Sequence, residues 1–176
     1  MHCPVFIGPA AARATRGTIM VAGPQALFDI VKADLTRMAE RLEYFGERPD
    51  LAAVYKLCGN AFIIGLSALV ADVLAVAAGS RVAPLDALRI TELFNPSATI
   101  SGRGKAMAAG RFARSFELVM ARKDLRLMIE TAGTHPLAAL PAIASRMDEL
   151  IAAGYGDDDL AVIGKDSVPP VPQSAE

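Results

Sequence analysis

The chain has 176 residues, 53% of them hydrophobic, with a mean hydropathy of +0.35 and a formal net charge of −1. That length and composition leave room for a real core and exclude a disordered chain. The balanced charge offers no basic footprint for nucleic acid, and two cysteines, Cys3 and Cys58, exclude a disulfide framework or a cysteine-rich metal site.

From the N-terminus, Cys3-Pro-Val-Phe-Ile7 and Gly17-Thr-Ile-Met-Val-Ala-Gly23 are short β-prone runs bounded by glycine and proline, and both read as strands. Pro24 opens a helix with Leu27, Ile30, Val31, Leu35, Met38 and Leu42 as its apolar stripe and Lys32, Asp34, Arg37 and Glu40 toward solvent. Arg41-Leu-Glu-Tyr-Phe45 reads as a third strand closed by Gly46, so residues 1–48 are β-β-α-β in character. No basic region followed by an apolar run stands at the N-terminus, so the expected setting is a reducing cytoplasm.

From Pro49 the pattern turns helical. A helix from about Leu51 to about Ala78 is apolar on nearly every face apart from Lys56, Asn60 and Asp72, which predicts burial all round or a membrane span. The three polar residues and the absence of an aromatic belt or flanking charge bias argue against the membrane. Pro84 begins another helix that ends near Phe94, where Asn95-Pro96 breaks it. Ser101-Gly-Arg-Gly-Lys105 reads as a basic, flexible loop. Phe116 to Ala132 is a well-formed amphipathic helix, and Pro136 opens the last major one, running to Gly154 with a bend at Pro141. The Pro-rich tail, residues 165–176, is expected to be extended or disordered.

The candidate chemistry is at Lys56 and Asn60. Four residues apart on a helix, they stack an ammonium and an amide on one face. Taken alone, Lys56 reads as a lysine snorkelling from an apolar helix and Asn60 as a satisfied polar contact. Lys123 beside Asp124 reads as a solvated helix face, and Cys58 as core. His2 and His135 read as surface residues, not a metal pair, so no metal site is expected.

Three blocks in order carry a resemblance: Cys3-Pro-Val-Phe-Ile-Gly-Pro-Ala-Ala-Ala12, Tyr55-Lys-Leu-Cys-Gly-Asn60, and Phe116-Glu-Leu-Val-Met-Ala-Arg-Lys-Asp-Leu125. Together they make the chain resemble the C-terminal part of the β-hydroxyacid dehydrogenases, the family of the 3-hydroxyisobutyrate, tartronate semialdehyde and 6-phosphogluconate enzymes. The resemblance implies a mainly α fold, a helical bundle of the 6-phosphogluconate dehydrogenase C-terminal type with a long buried central helix. Residues 1–48 would then be the β-β-α-β remnant of a Rossmann-like nucleotide-binding domain, and residues 49–164 an all-helical substrate and dimerisation domain.

By the same resemblance, the activity is NAD- or NADP-dependent oxidoreduction of a small-molecule 3-hydroxyacid by a homodimer, without nucleic acid or membrane. Lys56 is the matching general base, Asn60 binds the substrate or orients that lysine, Gly8 lies in the substrate-binding segment, and Lys123 approaches the cofactor. Two departures stand out. Phe6-Ile7-Gly8 replaces the family's Ser-Gly-Gly, so position 6 has no donor for a substrate carboxylate. The dinucleotide fingerprint is also missing: Gly102-Arg-Gly104-Lys-Ala-Met107 lacks the third glycine and follows no predicted strand. The alternative is therefore a non-catalytic dimerisation or binding module derived from that family.

Overall fold

A computed structural model describes residues 1–168. Its order is β1 (Val5–Phe6), α1 (Pro9–Arg13), β2 (Thr18–Val21), α2 (Gln25–Met38), β3 (Arg41–Tyr44), α3 (Leu51–Gly79), α4 (Pro84–Leu88), α5 (Ile90–Leu93), α6 (Pro96–Ala108), α7 (Leu118–Ala132) and α8 (Leu140–Leu150). A π-helical turn (Ile151–Tyr155) and a 3₁₀ turn (Leu160–Gly164) follow. The fold is mainly helical with one small sheet. Of the tail expected to be disordered, residues 169–176 lie outside the described residues. The chain divides into two compact units, Met1–Leu66 and the residues from Ser67 onward, and α3 contributes to both.

In the first unit β2 is the central strand, antiparallel to β1 and parallel to β3 in the order β1-β2-β3. Its unbroken apolar run suits a strand covered on both faces. Ile19 and Val21 point to one side, where Phe28 and Ala39 close a core with Leu35, Leu42 and Tyr44; Met20 and Ala22 point to the other, against Ala52, Phe6, Phe45 and Leu51. The parallel β2–β3 pair is joined by α2, as a crossover requires. The expected stripe of α2 is corrected. Leu27, Ile30 and Met38 are exposed, and the buried face is centred on Phe28, whose ring stacks on Tyr44 at 4.5 Å. A step of one residue turns a helix by about 100°, and the large Phe28 ring sets which side meets the sheet.

In the second unit Leu118, Ala121 and Leu125 of α7 meet Leu140, Ala144, Met147 and Leu150 of α8 and Val162 of the 3₁₀ turn. Both sets recur at spacings of three and four, as the sequence of an amphipathic helix requires. The C-terminus of α3 approaches α7 closely: a Cβ on Gly79 would fall 1.8 Å from the Thr131 carbonyl oxygen.

Four further expectations are corrected. The segment Ser101 to Lys105 lies inside α6, not in a loop, because the Asn95 side chain accepts from the Ser97 amide and Pro96 occupies the first turn. Pro141 does not bend a helix opened by Pro136; it sits in the first turn of α8. The span from Pro84 to Phe94 is two short helices meeting at Arg89. Finally, α3 is not buried all round. Only 17% of its most apolar window is covered within the chain, and Phe62, Ile64 and Val70 stand exposed together with Cys58. Among the described residues it is the one helix long and apolar enough to cross a membrane by length and composition.

Candidate functional site

In the first unit Lys56 and Asn60 lie one turn apart in α3, and both are partly buried. Neither side chain has a hydrogen bond or ion pair among the described residues. Two polar groups held at an apolar surface without hydrogen-bond partners are what a substrate-binding helix face would offer, because burying them unsatisfied is otherwise unfavourable. The Lys56 ammonium does have one neighbour: its Nζ lies 3.9 Å from the centroid of the Phe6 ring. That ring is seated against Gly59, where an added Cβ would come within 2.2 Å of the Phe6 Cζ. Beside it, Phe45 stacks on Tyr55 at 4.3 Å.

Phe6 ends β1, and two residues later the exposed Gly8 caps α1 with extended backbone, φ −79° and ψ 162°. The sheet therefore brings the Phe6 segment and the Lys56 helix together in one unit. Lys123 belongs to the second unit, on α7, where it is half exposed and pairs with Asp124 at 3.1 Å.

Two groups went unassigned from the sequence. Asp72, read only as an interruption of the apolar helix, is almost wholly buried and accepts from the amides of Ala138 (2.5 Å), Ala139 (2.9 Å) and Leu140 (2.8 Å). It thus caps the start of α8. Burial pushes its carboxyl up, but the three N–H bonds outweigh that and hold it below the usual carboxylate range. Asp159 is likewise buried, accepting from the Ser115 hydroxyl and the Phe116 and Ala161 amides, with Arg103 3.6 Å away. Its carboxyl is held low against burial by the Ser115 hydroxyl, those amides and the Arg103 charge. Both acids are saturated by the fold. A charge inside an apolar run, with its partners about 67 residues away in sequence, signals a buried cap only once the tertiary structure is known.

A dinucleotide needs a glycine-rich turn between a strand and a helix to cradle its pyrophosphate. Gly102 and Gly104 lie within α6, and no strand precedes it, so the described residues do not fit that role.

No protein-family model matches the chain. An uncharacterized oxidoreductase of Shewanella frigidimarina is 32% identical over 151 residues, 80% of this chain and 50% of that protein. The chain thus spans about half the length of the curated relative it matches. Among solved structures, an imine reductase variant from Myxococcus stipitatus in complex with NAD⁺ superposes with a TM-score of 0.81 at 15% identity, covering 93% of this chain and 60% of that one. An imine reductase from Pseudomonas sp. gives 0.81 at 17% identity, covering 94% and 59%. A reductive aminase from Aspergillus terreus in complex with NADPH4, cyclohexanone and allyl amine gives 0.80 at 16% identity, covering 95% and 60%. At these identities the likeness establishes that the chain shares the fold of a large part of those enzymes.

Proposed function

We propose that the chain is the substrate-handling part of an NAD- or NADP-dependent oxidoreductase of the β-hydroxyacid dehydrogenase type, acting on a 3-hydroxyacid or the corresponding carbonyl compound. The observation that carries this reading is the Lys56–Asn60 face, two partly buried polar groups one helical turn apart with no hydrogen bond or ion pair among the described residues. The Shewanella oxidoreductase and the shared reductase fold support the reaction class. On this reading residues 49–164 are the helical substrate and dimerisation domain of the 6-phosphogluconate dehydrogenase C-terminal type, and residues 1–48 are the end of a nucleotide-binding domain.

Lys56 Nζ accepts the proton of the substrate hydroxyl on oxidation and returns it to the carbonyl oxygen on reduction. The Asn60 amide hydrogen-bonds that oxygen or orients the ammonium, and Gly8 contributes backbone to the substrate segment. The dinucleotide is the redox partner. Because the described residues supply no pyrophosphate cradle, only Lys123 is assigned toward it.

The test is kinetic, in the chain supplied with a dinucleotide-binding domain. Lys56→Ala lowers kcat by about 10²- to 10⁴-fold, with KM changing less, and Lys56→Arg rescues little because a guanidinium keeps its proton. Near-full turnover in Lys56→Ala would place the base elsewhere, and no turnover in the unmodified chain so supplied would leave the binding-module alternative.

The exposed apolar faces of α3 are assigned to a second copy of the chain in a cytoplasmic homodimer and not to a bilayer, with an interface of more than ~2,000 Å². Sedimentation at micromolar concentration should give twice the chain mass of 18.5 kDa; a monomer refutes the assembly.

A further inference from the structure

We infer that Phe6 is a positioning residue for Lys56: the face of its ring holds the ammonium in place, and Gly59 is the residue that gives the ring room to lie there. This rests on Lys56 being the proton carrier, but the geometry it claims can be tested without catalysis. The ring is fixed on its other sides. Phe6 ends β1, which pairs with β2 through Phe6 and Thr18, and it packs onto the small core of Met20, Ala22 and Ala52.

From that anchored position the ring meets two residues of α3 that lie three apart and so share a face, Lys56 and Gly59. Nζ stands 3.9 Å from the ring centroid, within the range of a cation–π contact. At position 59, a Cβ would lie 2.2, 2.9 and 3.1 Å from three ring carbons. A helix interior disfavours glycine. Its presence in the middle of a 29-residue helix is explained by this close approach.

The choice of an aromatic partner has a chemical consequence. A carboxylate beside Lys56 would bind the ammonium through its protons and compete with a substrate oxygen for them. A ring face attracts the charge but takes no proton and leaves the N–H bonds free to point at a ligand. Phe6 thus restrains the side chain without spending its donors, while placing apolar surface instead of a hydroxyl beside it.

The test is solution NMR of the full chain labelled with ¹³C-lysine. The sequence has five lysines, at positions 32, 56, 105, 123 and 165, so Lys56 is assigned by its loss in Lys56→Arg. Lys105 and Lys123 serve as references, because Lys32 and Lys165 themselves stand over Phe28 and Tyr155. The ε-methylene protons of Lys56 are expected upfield of the references through the ring current. Phe6→Tyr should keep that shift and Phe6→Leu should abolish it. Gly59→Ala, which leaves both partners in place, should diminish it by displacing the ring.

Unshifted Lys56 signals in the unmodified chain would overturn the proposal even if no variant folds. A shift untouched by Gly59→Ala would overturn the role of Gly59. In the enzyme supplied with its dinucleotide-binding domain, Phe6→Leu should lower kcat about 10-fold with little change in KM, and Phe6→Tyr should restore it. Loss of the kinetic effect with the NMR shift intact would show a contact that does not position the base. An intact shift with a fully active Lys56→Ala would instead show that Lys56 is not the base.

Discussion

The two charged side chains of α3 stand in contrasting surroundings. Near its C-terminal end Asp72 is 1% exposed, and its two oxygens are filled by three amides at the start of α8. Near the N-terminal end Lys56 is only partly buried and touches an aromatic face, with no hydrogen bond or ion pair among the described residues. Burial without partners would be unfavourable for both. Asp72 meets that cost through backbone amides and becomes part of the architecture, whereas Lys56 is held by contacts that leave its donors available. Deep burial with saturated oxygens makes Asp72 structural, and the chemical role proposed for Lys56 rests on half burial without saturation.

The largest effect expected from this contrast is on stability at Asp72. Asp72→Ala leaves three amides without their acceptor in a buried position, which should cost about 3 kcal/mol. For a chain of this size that is a fall in Tm of roughly 6–12 °C, readable by thermal melting. A loss below about 1 kcal/mol would mean that water replaces the carboxylate, and the contrast with Lys56 would weaken.

A smaller effect is expected from acid. Asp72 and Asp159 are both held below their ordinary value of 3.8 in the folded chain. A depressed carboxyl contributes stability above its unfolded value, and that contribution is lost as pH falls through the folded one. Denaturant unfolding should therefore show little change in these contributions between pH 7 and 5 and a decline that sets in below about pH 4. Asp72→Ala should remove part of the decline. A variant with the same acid sensitivity as the parent would place the titration elsewhere.

How far the sequence carries can be read from the same residues. The strand at Thr18–Val21 and the helix at Leu118–Ala132 were legible because period and composition agree with the faces they bury. Lys56 and Asn60 were legible as one face because four residues make about one turn. The contacts that give those residues meaning were not. Phe6 is 50 positions from Lys56, and its meeting with Gly59 depends on β1 pairing with β2. For α2, apolar spacing was compatible with several faces, and the sheet chose the one with Phe28. In α6, two glycines suggested a loop, but a capping asparagine and a proline in the first turn outweighed them. Cys58 was expected in a core because its helix is apolar, yet the chain alone leaves that side uncovered.

The smallest effect expected is on stability at Lys56, and it decides whether the two charges of α3 truly differ in kind. Lys56→Met keeps an unbranched side chain of similar reach over Phe6 while removing the charge. The cation–π contact is lost, which costs about 0.5–1 kcal/mol. Against that, the ammonium no longer has to be held partly out of water, and the thioether packs well against a ring. The two terms nearly offset, so Tm should move by no more than about 3 °C in either direction, while on the proposed function turnover in the chain supplied with a dinucleotide-binding domain falls as it does for Lys56→Ala. A stability loss near that of Asp72→Ala would make Lys56 a second structural charge, and the unspent ammonium over Phe6 would then be explained by packing alone.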